Sequence, residues 1–274
     1  MSLFEAIIIA IVEGITEYLP VSSTGHMIIA SSLLGIHKEE FTKLFEVAVQ
    51  LGAILAVVVL YWKKFFDFRR WQFYVKLIIA VIPALVLGAL FADKVDAMLE
   101  SPTTVAITLL AGGVVLLFID RLFTKNDIDN EERISFRKAF FIGLWQCLAM
   151  IPGMSRSASS IIGGMQQKLS RRLAAEFSFF LAVPTMCAAT GYTLFFKDVE
   201  VGGVQQKGYE MILASSDNIT AFVVGNIVAF VVAMLAIKFF IGFLQRYGFR
   251  LFGWYRIIAG ILLLILIFTG VIQS

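Results

Sequence analysis

Six stretches of this chain, residues 45–62, 75–91, 104–120, 176–196, 219–241 and 254–271, are apolar for long enough to cross a lipid bilayer. A helix needs roughly 20 apolar residues, about 17–25, to traverse the hydrocarbon layer. Helices that are apolar all round need either a large protein core or lipid around them. A chain of 274 residues is too short to supply that core for so many. Only 16% of its residues are charged, against about 25% in soluble domains. The expected fold is therefore an all-α polytopic membrane protein, one membrane domain over residues 1–274. Cys147 and Cys187 sit in apolar surroundings and suggest neither a disulfide framework nor a metal cluster. The first residues, MSLFEAIIIAIVEG, have no basic region, and Glu5 and Glu13 interrupt the apolar run, so they are expected to stay with the fold rather than serve as a cleaved signal.

Four further apolar stretches are shorter or broken by polar residues: residues 3–19, 26–34, 136–151 and 159–169. They form two pairs, each joined by a polar turn containing proline, LPVSSTGH at 19–26 and IPGMSRSASS at 151–160. Apolar segments of about 10–14 residues are more often re-entrant than spanning. Pro20 aligns with Pro152, Ser23 with Ser155 and Phe45 with Phe177 at one constant offset, and Ala111-Gly112 corresponds to Ala259-Gly260. Each half, 1–132 and 133–274, then reads as a re-entrant helix pair followed by three spans.

The charges support an inversion between the halves. The first loop of half one is basic, with Lys63, Lys64, Arg69, Arg70 and Lys76 against Asp67. Its counterpart in half two holds Asp198, Glu200, Glu210 and Asp217 against Lys197 and Lys207. The second loop reverses the sign, with Asp93, Asp96 and Glu100 against Lys94 in half one and Lys238, Arg246 and Arg250 in half two. An odd number of spans per half flips the second copy, and the positive-inside rule predicts this exchange. With basic loops in the cytoplasm, both termini lie outside. Pair one dips from the outer face, and pair two, flanked by Arg133, Arg137, Lys138, Lys168, Arg171 and Arg172, dips from the cytoplasm. The two turns are then expected to meet near the midplane, where inverted repeats with broken helices bind their ligands.

Ionisable residues at membrane depth are functional candidates by default, and the short pairs carry four: Glu13, Glu17, His26 and Arg156. Glu13 and Glu17, four apart, share a helix face. Two such carboxylates repel unless a metal, a proton or an arginine lies between them, which suits a divalent cation (Mg or Ca) or an acid–base pair. The bland reading is that one is solvated near the interface. The first turn adds Ser22, Ser23, Thr24 and His26, although a serine before a helix is also an ordinary N-cap. His37, beside Lys38, Glu39 and Glu40, reads as plain surface. The second turn, with Gly153, Ser155, Arg156, Ser157 and Ser160, suits an anion. Glycine lets the backbone turn its N–H groups inward, a helix N-terminus attracts phosphate, and arginine offers a bidentate fork. Alternatively Arg156 pairs structurally with Glu13 or Glu17.

Two phosphatase patterns fail. The tyrosine-phosphatase loop needs Cys and Arg six apart, whereas Cys147 and Arg156 are nine apart, and the phosphatidate-phosphatase type needs a histidine where Ile162 stands. The Glu13-Gly14-Ile15-Thr16-Glu17 element running into LPVSSTGH, with Pro152-Gly153-Met154-Ser155-Arg156-Ser157, resembles the bacterial undecaprenyl-diphosphate phosphatase (bacitracin resistance) family over essentially the whole chain, including FEVAVQLGAILAVV and EFSFFLAVP. The resemblance implies hydrolysis of undecaprenyl diphosphate to the monophosphate carrier for peptidoglycan, in the bacterial cytoplasmic membrane. It assigns the acid pair to Glu13 and Glu17, the Ser/His element to Ser23 and His26, and the Ser-Arg pair to Ser155 and Arg156. Ser160 stands where the family often has threonine.

The resulting expectation makes Glu17, Ser23, His26 and Arg156 catalytic, with attack by Ser23 or by water. Glu13, Ser22, Thr24, Gly153, Ser155, Ser157 and Ser160 bind substrate, and Glu13 and Glu17 hold the cation. The partners are a polyprenyl diphosphate lipid and the bilayer, with no nucleic acid. A transporter or lipid flippase built on the same arginine, carboxylates and histidine is the alternative, since inverted repeats with broken helices are common among transporters.

Overall fold

The structure is a computed structural model describing residues 1–99, 101–124, 126–201 and 203–272, without the side chains at 92, 93, 96, 99 and 201. Glu100 and the side chains of Asp93 and Asp96, counted above in an acidic loop, therefore lie outside the described residues. Among the described residues there are thirteen α-helices. The first half holds α1 (Leu3–Thr16), α2 (Ser23–Leu33), α3 (Glu40–Ala48), α4 (Gln50–Leu60), the single turn α5 (Trp62–Phe65), α6 (Trp71–Leu99) and α7 (Pro102–Leu122). The second holds α8 (Phe136–Gln146), α9 (Arg156–Gln166), α10 (Arg171–Phe195), α11 (Gly208–Leu213), α12 (Ser216–Tyr247) and α13 (Arg250–Phe268).

Six helical stretches are long and apolar enough to cross a membrane: Glu40–Leu60, Trp71–Phe91, Pro102–Leu122, Arg171–Phe195, Ser216–Tyr247 and Arg250–Phe268. They coincide with the six apolar stretches of the sequence, so the protein is a multi-pass membrane protein. Their polar ends extend the helices beyond the apolar runs, because side-chain caps such as Ser101, Ser170 and Ser215 set the starts. The remaining helices of the two short pairs have 14, 11, 11 and 11 residues. At 1.5 Å per residue these reach about 16–21 Å, well short of a bilayer's ~30 Å.

Each short pair packs across the midline of the chain. Helix α1 lies on α12 and α8 lies on α6, and glycine makes both approaches close. A Cβ on Gly14 would sit 2.9 Å from the Ala229 carbonyl oxygen, and one on Gly143 would sit 2.2 Å from that of Ala80. Helices α7 and α13 pack along their length, and α4 and α10 form the centre, where Tyr18, Phe177, Phe179, Phe180 and Phe240 are buried.

One departure from an all-helical chain is a two-stranded antiparallel hairpin, β1 (Asp198–Val201) with β2 (Val204–Lys207). At one end of the molecule the first basic loop meets Glu131, at the join of the two halves, and Glu176 of the second half. Lys64 pairs with Glu131 and Glu176 at 3.4 Å each, Arg70 pairs with Glu131, and the Lys76 ammonium donates to the Glu131 carbonyl at 2.9 Å. Asp120 joins the same end, accepting from Arg171 and from the Phe249 N–H at 2.8 Å each.

Candidate active site

The first turn is built around the end of α1. Glu17 caps that helix, its N–H bonded to the Glu13 carbonyl. The chain then reverses through Pro20 and enters α2 at Ser22, a non-glycine residue held at φ +74°. Its hydroxyl accepts from the Gly25 N–H at 3.3 Å, so Ser23 becomes the first helical residue and its hydroxyl donates to Glu17 Oε2. His26, three residues on, shares that helix face. Its Nδ1 lies 2.7 Å from the Ser22 carbonyl oxygen, which can only accept, so Nδ1 carries a hydrogen. Nε2 meets the Tyr255 hydroxyl at 2.7 Å.

The second turn repeats the backbone and changes the chemistry. Ser155, at φ +73°, caps α9 by accepting from the Ala158 N–H. Arg156 is then the first helical residue. Its Nη2 donates to Glu17 Oε1 at 2.8 Å and its Nη1 to the Ser178 carbonyl at 2.8 Å. The guanidinium lies 5.6 Å from the Tyr18 ring centroid, and its buried Nε has no partner among the described residues. Ser160 donates to the Arg156 carbonyl and lies 2.7 Å from the Ser178 hydroxyl. Gly153, at φ +87°, lets the turn pass against α7, where a Cβ would meet Thr108 Oγ1 at 2.0 Å.

Non-glycine residues at positive φ are strained and gather at functional sites. Among the described residues only Ser22, Ser155 and Lys168 adopt such angles, and two of these three start the paired helices. The backbone thus matches Ser22 with Ser155, not Ser23 with Ser155, because the second turn carries one extra residue after its proline. The true counterpart of Arg156 is Ser23, and both reach Glu17 from opposite halves of the chain.

Glu17, Ser23, Arg156 and Ser160 are therefore brought together. Ser22 and Ser155 are caps, and Ser157 donates to the Leu19 carbonyl at 2.7 Å, stitching α9 to the first turn. The Thr24 hydroxyl makes no hydrogen bond to this cluster among the described residues. His26 stands beside the cluster with both ring nitrogens engaged elsewhere. Glu13 is fully buried, and neither of its carboxylate oxygens has a donor among the described residues. Two cavities, of about 370 and 330 Å³, lie at the basic end around Arg70 and Glu131.

Sequence reasoning missed Tyr255, Ser178 and above all Arg256. The Arg256 side chain is completely buried, and its guanidinium donates to the carbonyls of Pro20 at 3.2 Å, Met154 at 3.1 Å and Gly153 at 2.7 Å. Further bonds run to Thr108 and Leu109 in α7. The signal was present: an arginine near the start of an apolar span is costly unless it has work to do.

A family description, Bacitracin resistance protein BacA, matches residues 6–262. The chain belongs to this family. Among curated relatives, a protein of Flavobacterium psychrophilum named undecaprenyl-diphosphatase is 57% identical over 98% of this chain and 97% of its own. Proteins of the same name from Porphyromonas gingivalis and Bdellovibrio bacteriovorus are 50% and 48% identical, covering 98–99% of both chains. The paired turns of this BacA-family chain lie inside the matched region.

Proposed function

We propose that this chain is an undecaprenyl-diphosphatase, an integral membrane hydrolase that converts undecaprenyl diphosphate to undecaprenyl phosphate and inorganic phosphate. The observation that carries the reading is the double engagement of Glu17, which takes a guanidinium donor from one half and a serine hydroxyl from the other. Phosphoryl transfer depends on positioning and on charge stabilisation above all, and this arrangement offers both. Arg156, with its free Nε and the first N–H groups of α2 and α9, holds the diphosphate. Ser23 Oγ attacks the terminal phosphorus while its proton passes to Glu17. The bridging P–O bond breaks and the lipid monophosphate leaves with the bond's electrons. Water then attacks the phosphoserine, His26 takes the water's proton, and Glu17 returns a proton to Ser23 Oγ as inorganic phosphate departs.

A divalent cation, Mg or Ca, fits the orphaned carboxylate of Glu13. Among the described residues no group of three or more His, Cys, Asp or Glu side chains is arranged to hold a metal. The two carboxylates of Glu13 and Glu17 match the one or two that a Mg ion commonly uses beside substrate phosphates and water. Glu13, with Glu17 beside it, would hold the cation, which when bound neutralises phosphate charge.

The same reading makes the halves 1–132 and 133–274 inverted repeats with re-entrant pairs α1–α2 and α8–α9. The reciprocal packing of α1 on α12 and α8 on α6, the matched caps at Ser22 and Ser155 and the exchange of loop charge support it. The positive-inside rule then puts the Lys64–Arg70–Glu131 end in the cytoplasm and opens the site to the outer face, with the isoprenoid chain among the lipid-facing helices.

The test is phosphate release from undecaprenyl diphosphate by purified protein in detergent. Wild type releases phosphate without sealed compartments, which a pure transporter does not. Arg156→Ala, still folded and monodisperse, loses turnover by about 10³-fold or more, as expected when a transition-state charge partner is deleted; near-normal turnover rejects the assignment.

A further inference from the structure

The geometry points to Arg256 as a positioning residue for this reaction: by gripping the carbonyls of both turns it sets the distance between the Ser23–Glu17 side of the site and the Arg156 side. The inference rests on the reading just given and concerns a residue outside both turns.

A guanidinium offers five N–H donors in a rigid planar fork. In Arg256 all three nitrogens are used, and every acceptor is a backbone carbonyl. Among the described residues no carboxylate pairs with it. A buried arginine serving only the packing of α13 on α7 has its acceptors in α7, yet the Pro20, Gly153 and Met154 carbonyls belong to the two turns. Pro20 precedes Ser23 by three residues, and Met154 precedes Arg156 by two. The carbonyls that Arg256 holds thus lie within three residues of both reacting elements. Helix α13, which contributes nothing to the Glu17 cluster, fixes its two sides to one another.

The seat is carved for this side chain. A Cβ on Gly112 would sit 2.3 Å from Arg256 Nη2 and 2.8 Å from its Cζ. Filling that position leaves the arginine and its charge in the protein but moves the fork off its carbonyls. Lysine at 256 does the converse, keeping a charge while losing the planar fork.

The consequence is kinetic. Arg156 and the apolar walls still bind substrate when the turns drift, so the Michaelis constant changes little. The attacking hydroxyl and the held phosphorus lose alignment, and misplacement by about 1 Å costs about 100-fold in rate. The experiment compares wild type, Arg256→Lys and Gly112→Ala, assayed per folded monodisperse protein on a polyprenyl diphosphate. Both variants are expected to lose about 100-fold in kcat with KM within about fivefold of wild type. If Arg256→Lys keeps kcat within about fivefold, charge rather than geometry is what the residue supplies and the proposal falls. If Gly112→Ala keeps wild-type kcat, the seat is not what matters and it falls equally. Should Arg256→Lys fail to fold, Gly112→Ala still reads the same claim with the arginine in place. A wild type that releases no phosphate rejects the enzyme assignment instead, so the two failures are separable.

Discussion

The two polar turns share a backbone and divide the chemistry. Each follows a proline, each has a serine forced to positive φ, and each starts a helix whose first residue points at Glu17. In the first turn that residue is Ser23, backed by acids and an imidazole. In the second it is Arg156, backed by hydroxyls. A backbone device that presents one side chain and a few N–H groups at the end of a broken helix is indifferent to what it presents. The difference teaches that, in the mechanism proposed above, one turn supplies the nucleophile and the other the anion grip, with Glu17 as their meeting point.

The strongest way to break that comparison is to remove the meeting point. Glu17→Gln keeps shape and one acceptor but leaves the buried Arg156 guanidinium uncompensated. Breaking a buried pair from one side costs about 3–5 kcal/mol, equivalent to about 10²- to 5 × 10³-fold in rate if it falls on the transition state. The expected result is a loss of kcat/KM of at least that size together with a lower melting temperature. Activity within tenfold of wild type means the two turns work independently.

A finer cut separates the two acids. Among the described residues Glu13 makes no hydrogen bond to Ser23 or Arg156, and its oxygens are without donors. Glu13→Gln is therefore expected to lower phosphate release by about tenfold while raising the divalent-cation concentration needed for half-maximal activity, since it removes one of the one or two carboxylates such an ion uses. A chelator should then strip activity from the variant at a lower concentration than from wild type. Equal sensitivity to chelator in both proteins assigns the cation elsewhere.

Much of this was legible in the sequence, for reasons of physics. The six spans follow from apolar length alone, because lipid leaves the backbone no partner outside the helix. The short pairs were marked by proline and hydroxyl-rich turns, and Glu17 and Arg156 by the cost of an ion inside an apolar run. What was missed was hidden by averaging. Arg256 sits in a span of mean hydropathy 2.3, and one guanidinium is outweighed there by the leucines and isoleucines around it. The β1–β2 hairpin was counted only as loop charge, although Val199 and Val201 alternate with acids ahead of a positive-φ Gly203. The pairing of Ser23 with Ser155 came from a constant offset, which cannot register the extra residue in the second turn.

The smallest predicted effect sharpens the likeness of the turns themselves. Ser22 and Ser155 occupy the same capping position, and removing an N-cap hydroxyl costs about 1 kcal/mol. Ser155, however, also lies 3.1 Å from the Ser157 hydroxyl, which in turn holds the Leu19 carbonyl of the other turn. Among the described residues Ser22 has no such link: its hydroxyl accepts from the Gly25 N–H, and its backbone carbonyl accepts from His26. Ser22→Ala should therefore destabilise by the cap alone, whereas Ser155→Ala should destabilise by the cap and a further hydrogen bond, about 1 kcal/mol more. Thermal or denaturant unfolding of the two variants side by side measures the gap. If the two losses are equal, the Ser155–Ser157 link adds no stability beyond the cap.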